Sequence, residues 1–271
     1  MKTKILKTIE AGPMRELVIY TPPTRHDTQQ QRAQRSKVTS KAQADTNRKN
    51  RVKRLERYIW ANFESSDRFI TLTYSDEHQP SRRKTARAQL SAALRNIRAA
   101  YKLAGYELKY IYTTEDRHGD GRIHHHIIAN TIPGDVEILR SLWPFGSVDV
   151  ETMAKYGPAW AQDRAIYMLK EKKPNGEQGF TCSKAMTQPV IKTEWIDEDC
   201  ALTAPRGAVI LEEGKEVTEW AEYYHLKYLR PPAQQKHPHQ ATAAAGAGIL
   251  PGRRSSERPG QRQPVNCARR V

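Results

Sequence analysis

A chain of 271 residues carrying 45 lysines and arginines against 30 aspartates and glutamates is long enough for one sizeable domain with extensions, or for two small ones. Its formal net charge of +15 makes a polyanion the expected partner, nucleic acid ahead of an anionic membrane, because such a field gathers phosphates before any specific contact forms. No apolar run approaches a bilayer span and MKTKILKTIEAGPMREL lacks the apolar core and cleavage site of a signal peptide, so a cytoplasmic location without a membrane partner is expected.

The cysteines Cys182, Cys200 and Cys267 are odd in number, far apart and in no Cys-x-x-Cys arrangement. They support neither a disulfide framework nor a cysteine zinc site, and free thiols are expected.

In chain order, residues 25–57 are dominated by Arg, Lys, Gln and Asn, and from Thr39 onward Val52, Leu55 and Ile59 recur on one side of a basic helix. Arg68 to Tyr74, RFITLTY, is β-branched and aromatic without a turn former and reads as a buried strand. After Gln79-Pro80-Ser81, the apolar positions Leu90, Leu94, Ile97 and Tyr101 define a helix over Arg82–Ala104 that Gly105 stops.

Leu108–Glu115 and Ile123–Asn130 read as two strands of an antiparallel hairpin joined by DRHGDGR. Pro133-Gly134-Asp135 caps a short helix, Val136–Trp143, and Phe145–Val150 adds a strand. Tyr156-Gly157-Pro158 breaks the chain before a helix over Ala161–Lys172 with the apolar pair Ile166 and Leu169. Val190–Trp195 and Ala208–Glu212 are further candidate strands, whereas Glu219–Leu229 fits strand and helix equally.

Residues 1–36 are read as an N-terminal extension, 37–232 as one domain led by the basic helix, and 233–271, poor in large apolar residues, as a disordered basic tail. No phosphate-binding Gly-x-x-x-x-Gly-Lys-Ser/Thr loop occurs, so an unwinding motor has to be a partner.

The chemistry concentrates in GRIHHHII, Gly121 to Ile128. Alternate residues share a strand face, so His124 and His126 point together and His125 points away. Alone, such a pair is as often a hydrogen-bonded feature as a metal site. Glu115, ending the preceding strand, can join them across the hairpin, and two histidines with one carboxylate leave positions open for substrate oxygens.

That ligand set also serves non-haem iron oxygenases and does not name a reaction. Tyr167 and Lys170 in YMLK add a second element, since residues three apart on a helix are neighbours and an ammonium there stabilises charge on a transferring phosphoryl group. Tyr110, Tyr112 and Tyr156 have no lysine three residues on.

With those residues in view, the chain resembles the HUH endonuclease superfamily, and within it the single-tyrosine rolling-circle replication initiators (Rep proteins) of bacterial plasmids, phages and integrative elements. FITLTY (Phe69–Tyr74), IHHHII around His124–His126, and YMLK resemble its three ordered motifs. NRKNRVKRLERYIWANF and CSKAMTQP resemble segments that flank this core. The likeness covers residues 37–230.

The resemblance implies an α+β fold of the RRM/ferredoxin-like kind, a central antiparallel sheet with helices packed on it. By position, His124, His126 and Glu115 would hold Mg²⁺ or Mn²⁺. Tyr167 would attack the scissile phosphate of single-stranded or hairpin DNA at a replication origin, leaving a 5′-phosphotyrosine and a free 3′-hydroxyl, and Lys170 would stabilise charge. A host helicase and polymerase are the implied partners.

The sequence departs from the pattern at His125, where the family carries a bulky apolar residue. That departure leaves a shifted ligand assignment open, and His118 rivals Glu115 as third ligand. A transposase or relaxase of the same superfamily shares this core, and a non-catalytic nucleic-acid module using Tyr110 and Tyr112 as exposed stacking platforms is the reading from another class.

Overall fold

The computed structural model describes residues 2–22, 41–116, 121–171, 179–217, 222–232 and 268–269. The chain runs β1 (Lys2–Ala11), β2 (Met14–Tyr20), α1 (Lys41–Asn62), β3 (Arg68–Leu72), α2 (Arg83–Leu103), β4 (Tyr110–Glu115), β5 (His124–Ala129), α3 (Asp135–Ser141) and β6 (Val148–Thr152). A 3-10 segment (Met153–Ala159) leads into α4 (Trp160–Met168), followed by β7 (Thr181–Cys182), β8 (Val190–Asp197), β9 (Cys200–Ala201), β10 (Val209–Val217), β11 (Glu222–Leu229) and β12 (Ala268–Arg269). The fold is α+β, with two antiparallel five-stranded sheets and four α-helices among the described residues.

These residues form two compact units, Ser36–Gln188 and Met1–Arg35 with Pro189–Val271. In the first, the strand order is β6-β3-β5-β4-β7. One sheet face carries Ile70, Leu72, Tyr110, Ile127 and Ala129, which are buried against Ala86, Leu90, Leu94, Ile97 and Tyr101 of α2. The helix forms as its periodicity predicts because these positions make one apolar stripe while Lys84, Arg95 and Asn96 stay in water. It ends where Gly105, at φ +84°, takes the left-handed turn and Tyr106 N–H bonds back to Tyr101 O at 2.9 Å.

The opposite face carries Phe69, Ile111 and Ile128, equally buried. α4 lies on that face, since Tyr167 packs edge-on against Phe69, and α1 joins it through Trp60 against Trp160, ring centres 4.7 Å apart. The sheet is thus covered on both sides, and its strands are apolar in near-continuous runs rather than in alternation.

The second unit is a sheet of order β10-β11-β2-β1-β8, with a core of Leu6, Leu17, Ile19, Ile196, Leu226 and Tyr228. Here the structure departs from the sequence reading of 1–36 as an extension and 37–232 as a single domain. Residues 2–20 form the β1–β2 hairpin, whose free edges pair with β8 and β11, a partnership nearly two hundred residues away along the chain that no local pattern announces. Pairing with β2 also decides Glu222–Leu229 as a strand.

Cys182 is a free thiol, but Cys200 is disulfide-bonded, correcting the expectation of a free thiol there. Its strand β9 pairs with β12 near the chain's other end, a proximity invisible in cysteine spacing. Cys267, and the tail 233–271 apart from β12, lie outside the described residues. Among the described residues no helix is long and apolar enough to cross a membrane.

Candidate metal centre and tyrosine site

Antiparallel pairing sets Glu115 directly across from His124, Thr114 across from His125 and Thr113 across from His126. Strand alternation then collects Glu115, His124 and His126 on the α4 face and turns His125 toward α2. Glu115 Oε2 lies 3.4 Å from His124 Nε2, 3.7 Å from His126 Nε2 and 3.2 Å from Lys170 Nζ.

Two contacts orient the imidazoles. His124 Nδ1 is 3.1 Å from the Arg122 carbonyl, which can only accept, so Nδ1 donates and Nε2 is the atom presented to Glu115. His126 Nδ1 is 3.2 Å from the Thr71 hydroxyl, and its ring is stacked on Phe69 at 5.4 Å between centres. Both rings therefore turn Nε2 toward one carboxylate.

The electrostatics suit a cation. Burial pushes the Glu115 carboxyl up, but the hydrogen bond from His124 and the charges of His126 and Lys170 outweigh it and leave its pKa below the ordinary value. The hydrogen bond to Glu115 raises His124. Burial lowers His126 to about 4, so that ring is neutral at physiological pH.

The residues fit a divalent metal on three counts. His126 Nε2 and Glu115 Oε1 are buried polar atoms without a hydrogen-bond partner, an expensive condition unless something else satisfies them. One ligand atom from each of the three residues lies within 4.8 Å of the others. Two neutral-nitrogen donors with one carboxylate suit borderline and hard divalent ions alike.

His125 is excluded from this group. It is fully buried, with Nε2 3.0 Å from the Tyr74 hydroxyl and Nδ1 3.0 Å from the Thr114 hydroxyl, and burial lowers its pKa to about 3. The shifted ligand assignment thus has both ring nitrogens engaged on the wrong side of the sheet. His118 lies outside the described residues.

Tyr167 is brought to the same face by α4, its ring edge-on to His126 at 4.9 Å between centres, and is 37% exposed, open to a substrate. Lys170 does not sit on the helix, as its i,i+3 spacing predicts; α4 ends at Met168. A turn in which Lys170 N–H bonds Tyr167 O at 3.3 Å delivers the same neighbourhood, with Nζ 3.7 Å from the centre of the Tyr167 ring.

Sequence reasoning missed Arg164. Its guanidinium lies 3.6 Å from the Tyr156 ring centre, 4.7 Å from Phe69 and 5.0 Å from Tyr167, and the residue is 7% exposed. An arginine one helical turn before the tyrosine was the available signal. Also missed was the clasp behind the site, in which Arg83 pairs with Asp116 at 2.9 Å and Glu171 Oε1 accepts from Asp116 N–H at 3.3 Å, tying the chain after Lys170 to the end of β4.

Tyr110 and Tyr112 are not the exposed stacking platform that the binding-module reading requires. Tyr110 is buried, both side chains pack on the α2 side of the sheet, and Arg98 donates to the Tyr110 hydroxyl at 3.0 Å.

An α+β unit with a two-histidine, one-carboxylate cluster beside a helix-borne tyrosine is the class these observations define. Residues 67–172 match the family model of the replication-associated protein ORF2, consistent with a rolling-circle replication initiator of the HUH superfamily. The matched span takes in the metal cluster, Tyr167 and Lys170. No curated protein and no solved structure matches the chain.

Proposed function

We propose that the protein is a rolling-circle replication initiator that nicks single-stranded origin DNA with Tyr167 as nucleophile. The observation that carries this reading is the convergence on one sheet face of Tyr167, Lys170 and the Glu115, His124 and His126 cluster, inside the span that matches a replication-associated family.

Glu115, His124 and His126 would hold Mg²⁺ or Mn²⁺, which when bound supplies Lewis acidity toward a phosphoryl oxygen. The Tyr167 oxygen attacks phosphorus and gives up its proton. The bond from phosphorus to the 3′-oxygen breaks, and that oxygen leaves as a hydroxyl after taking a proton. The products are a 5′-phosphotyrosine and a 3′-hydroxyl, and the ester bond kept on the protein allows later rejoining. His126 and Phe69 hold the tyrosine ring from one side and Arg164 from another, which limits the conformations it must lose to attack. Lys170 carries positive charge to the edge of the reacting group.

The test is incubation of end-labelled single-stranded origin DNA and Mn²⁺ with wild-type protein and with Tyr167→Phe, followed by denaturing electrophoresis. Wild type is expected to yield a protein-linked band and the phenylalanine variant none. Equal adduct from both removes Tyr167 from the reaction.

A further inference from the structure

Two segments that the metal site does not use, one in α1 and one after α4, meet in a cavity of about 460 Å³ lined by Arg51, Arg54, Tyr58, Phe180, Cys182 and Lys184, among others. That volume is within the usual range for a small-molecule site, about 300–1,000 Å³. Arg51, Arg54 and Tyr58 fall three and four residues apart on α1 and so share one helix face.

The cations here are not spent on carboxylates. Among the described residues no ion pair engages Arg51, Arg54 or Lys184; instead the Arg54 guanidinium lies 5.8 Å from the Tyr58 ring centre and 5.9 Å from that of Phe180. Those two rings meet edge-on at 6.2 Å. The wall is fixed: Tyr58 donates its hydroxyl proton to Gln188, while Asn62 donates to Thr187 O at 2.9 Å and accepts from Thr187 N–H at 2.7 Å.

The position relates the cavity to the metal centre. Cys182 pairs with Ile111, four residues before Glu115 on β4 and on the same face of the strand. At about 3.4 Å per residue that is roughly 13 Å along the sheet, a distance that a few nucleotides of extended single strand can cover.

We propose that this cavity is a second nucleotide subsite for the DNA strand, with backbone phosphate on Arg51, Arg54 and Lys184 and a base against Tyr58 and Phe180. Unpaired cations beside aromatic rings suit single-stranded nucleic acid, which offers a phosphate and a π-face at each residue. The inference rests on the reading of the protein as a DNA nickase and extends it to how the strand is held.

The experiment is fluorescence anisotropy of the full chain with a labelled single-stranded oligonucleotide in EDTA, over a salt series, with Mn²⁺ binding measured separately. Arg51→Ala with Arg54→Ala is expected to weaken binding about tenfold or more and to lower the salt slope by about two, since each lost phosphate contact removes about one. Phe180→Leu keeps apolar bulk and is expected to weaken binding several-fold with the slope unchanged, the signature of lost stacking. Mn²⁺ affinity should stay at the wild-type value in both variants, which also reports intact folding of the sheet. If wild type binds and nicks DNA while both variants match it in affinity and slope, the subsite is overturned and the nickase reading stands. If wild type binds no single-stranded DNA, both fall.

Discussion

Glu115 is the residue at which three cationic or ligating groups meet: its Oε2 contacts His124, His126 and Lys170 while its Oε1 has no partner. Glu115→Gln keeps the shape and removes the charge, and is expected to weaken Mn²⁺ binding, read by calorimetry, by more than about tenfold, since even outer-shell changes cost that much. Unchanged affinity would mean that the metal is held elsewhere. His125 makes the complementary case. His125→Ala opens a cavity and deprives the Tyr74 and Thr114 hydroxyls of a partner, so a loss of about 2–4 kcal/mol in urea unfolding is expected, with Mn²⁺ affinity retained. A variant that instead loses metal with its stability intact would restore the shifted ligand assignment.

Among the elements, the hairpin β4–β5 and the helix α4 decide the site, and the connection into β6 supports it. Gly146 lies against β3's exit so closely that a Cβ there would meet Thr73 O, with Ser75 N and Tyr74 C each at 2.8 Å, all backbone atoms that cannot turn aside. Thr73 N–H bonds to Ser147 O at 3.0 Å and Ser75 N–H to Phe145 O at 2.9 Å in the same stretch. Gly146→Ala is therefore expected to lower the thermal midpoint by several degrees, on the order of 1–3 kcal/mol; an unchanged melt would mean that the two segments separate freely. α2 was legible from its apolar spacing because a helix face is a local property. The end of α4 was not: the good helix formers after Met168 predict continuation to Lys172, whereas the helix stops at Met168 and Glu171 meets the backbone of Asp116 at the end of β4.

At the scale of the whole molecule, a net charge of +15 makes electrostatics the main source of DNA affinity. Binding to single-stranded DNA is expected to weaken by orders of magnitude between about 50 and 200 mM salt, with a linear plot of log affinity against log salt concentration, measurable by anisotropy. Affinity that is flat over that range would point to a partner other than a polyanion. The two-sheet organisation escaped the sequence because β1 and β2 find their partners in β8 and β11, and the alternation within KTKILKTIEA is too weak to distinguish a strand from an amphipathic extension.

The features determined by sequence alone are those with a local physical basis. A period of two separates His124 and His126 from His125, a period of 3.6 defines α2, and charge implies a polyanion. The third donor, the place of the nucleophile and the surroundings of both depended on long-range packing. Glu115 reaches the histidines through the β4–β5 register, Tyr167 reaches His126 because α4 docks on that face, and Arg164 gains its meaning from Phe69, Tyr156 and Tyr167 around it. Strand register and helix docking are chosen by the burial of whole faces, and that choice is made only when distant segments meet.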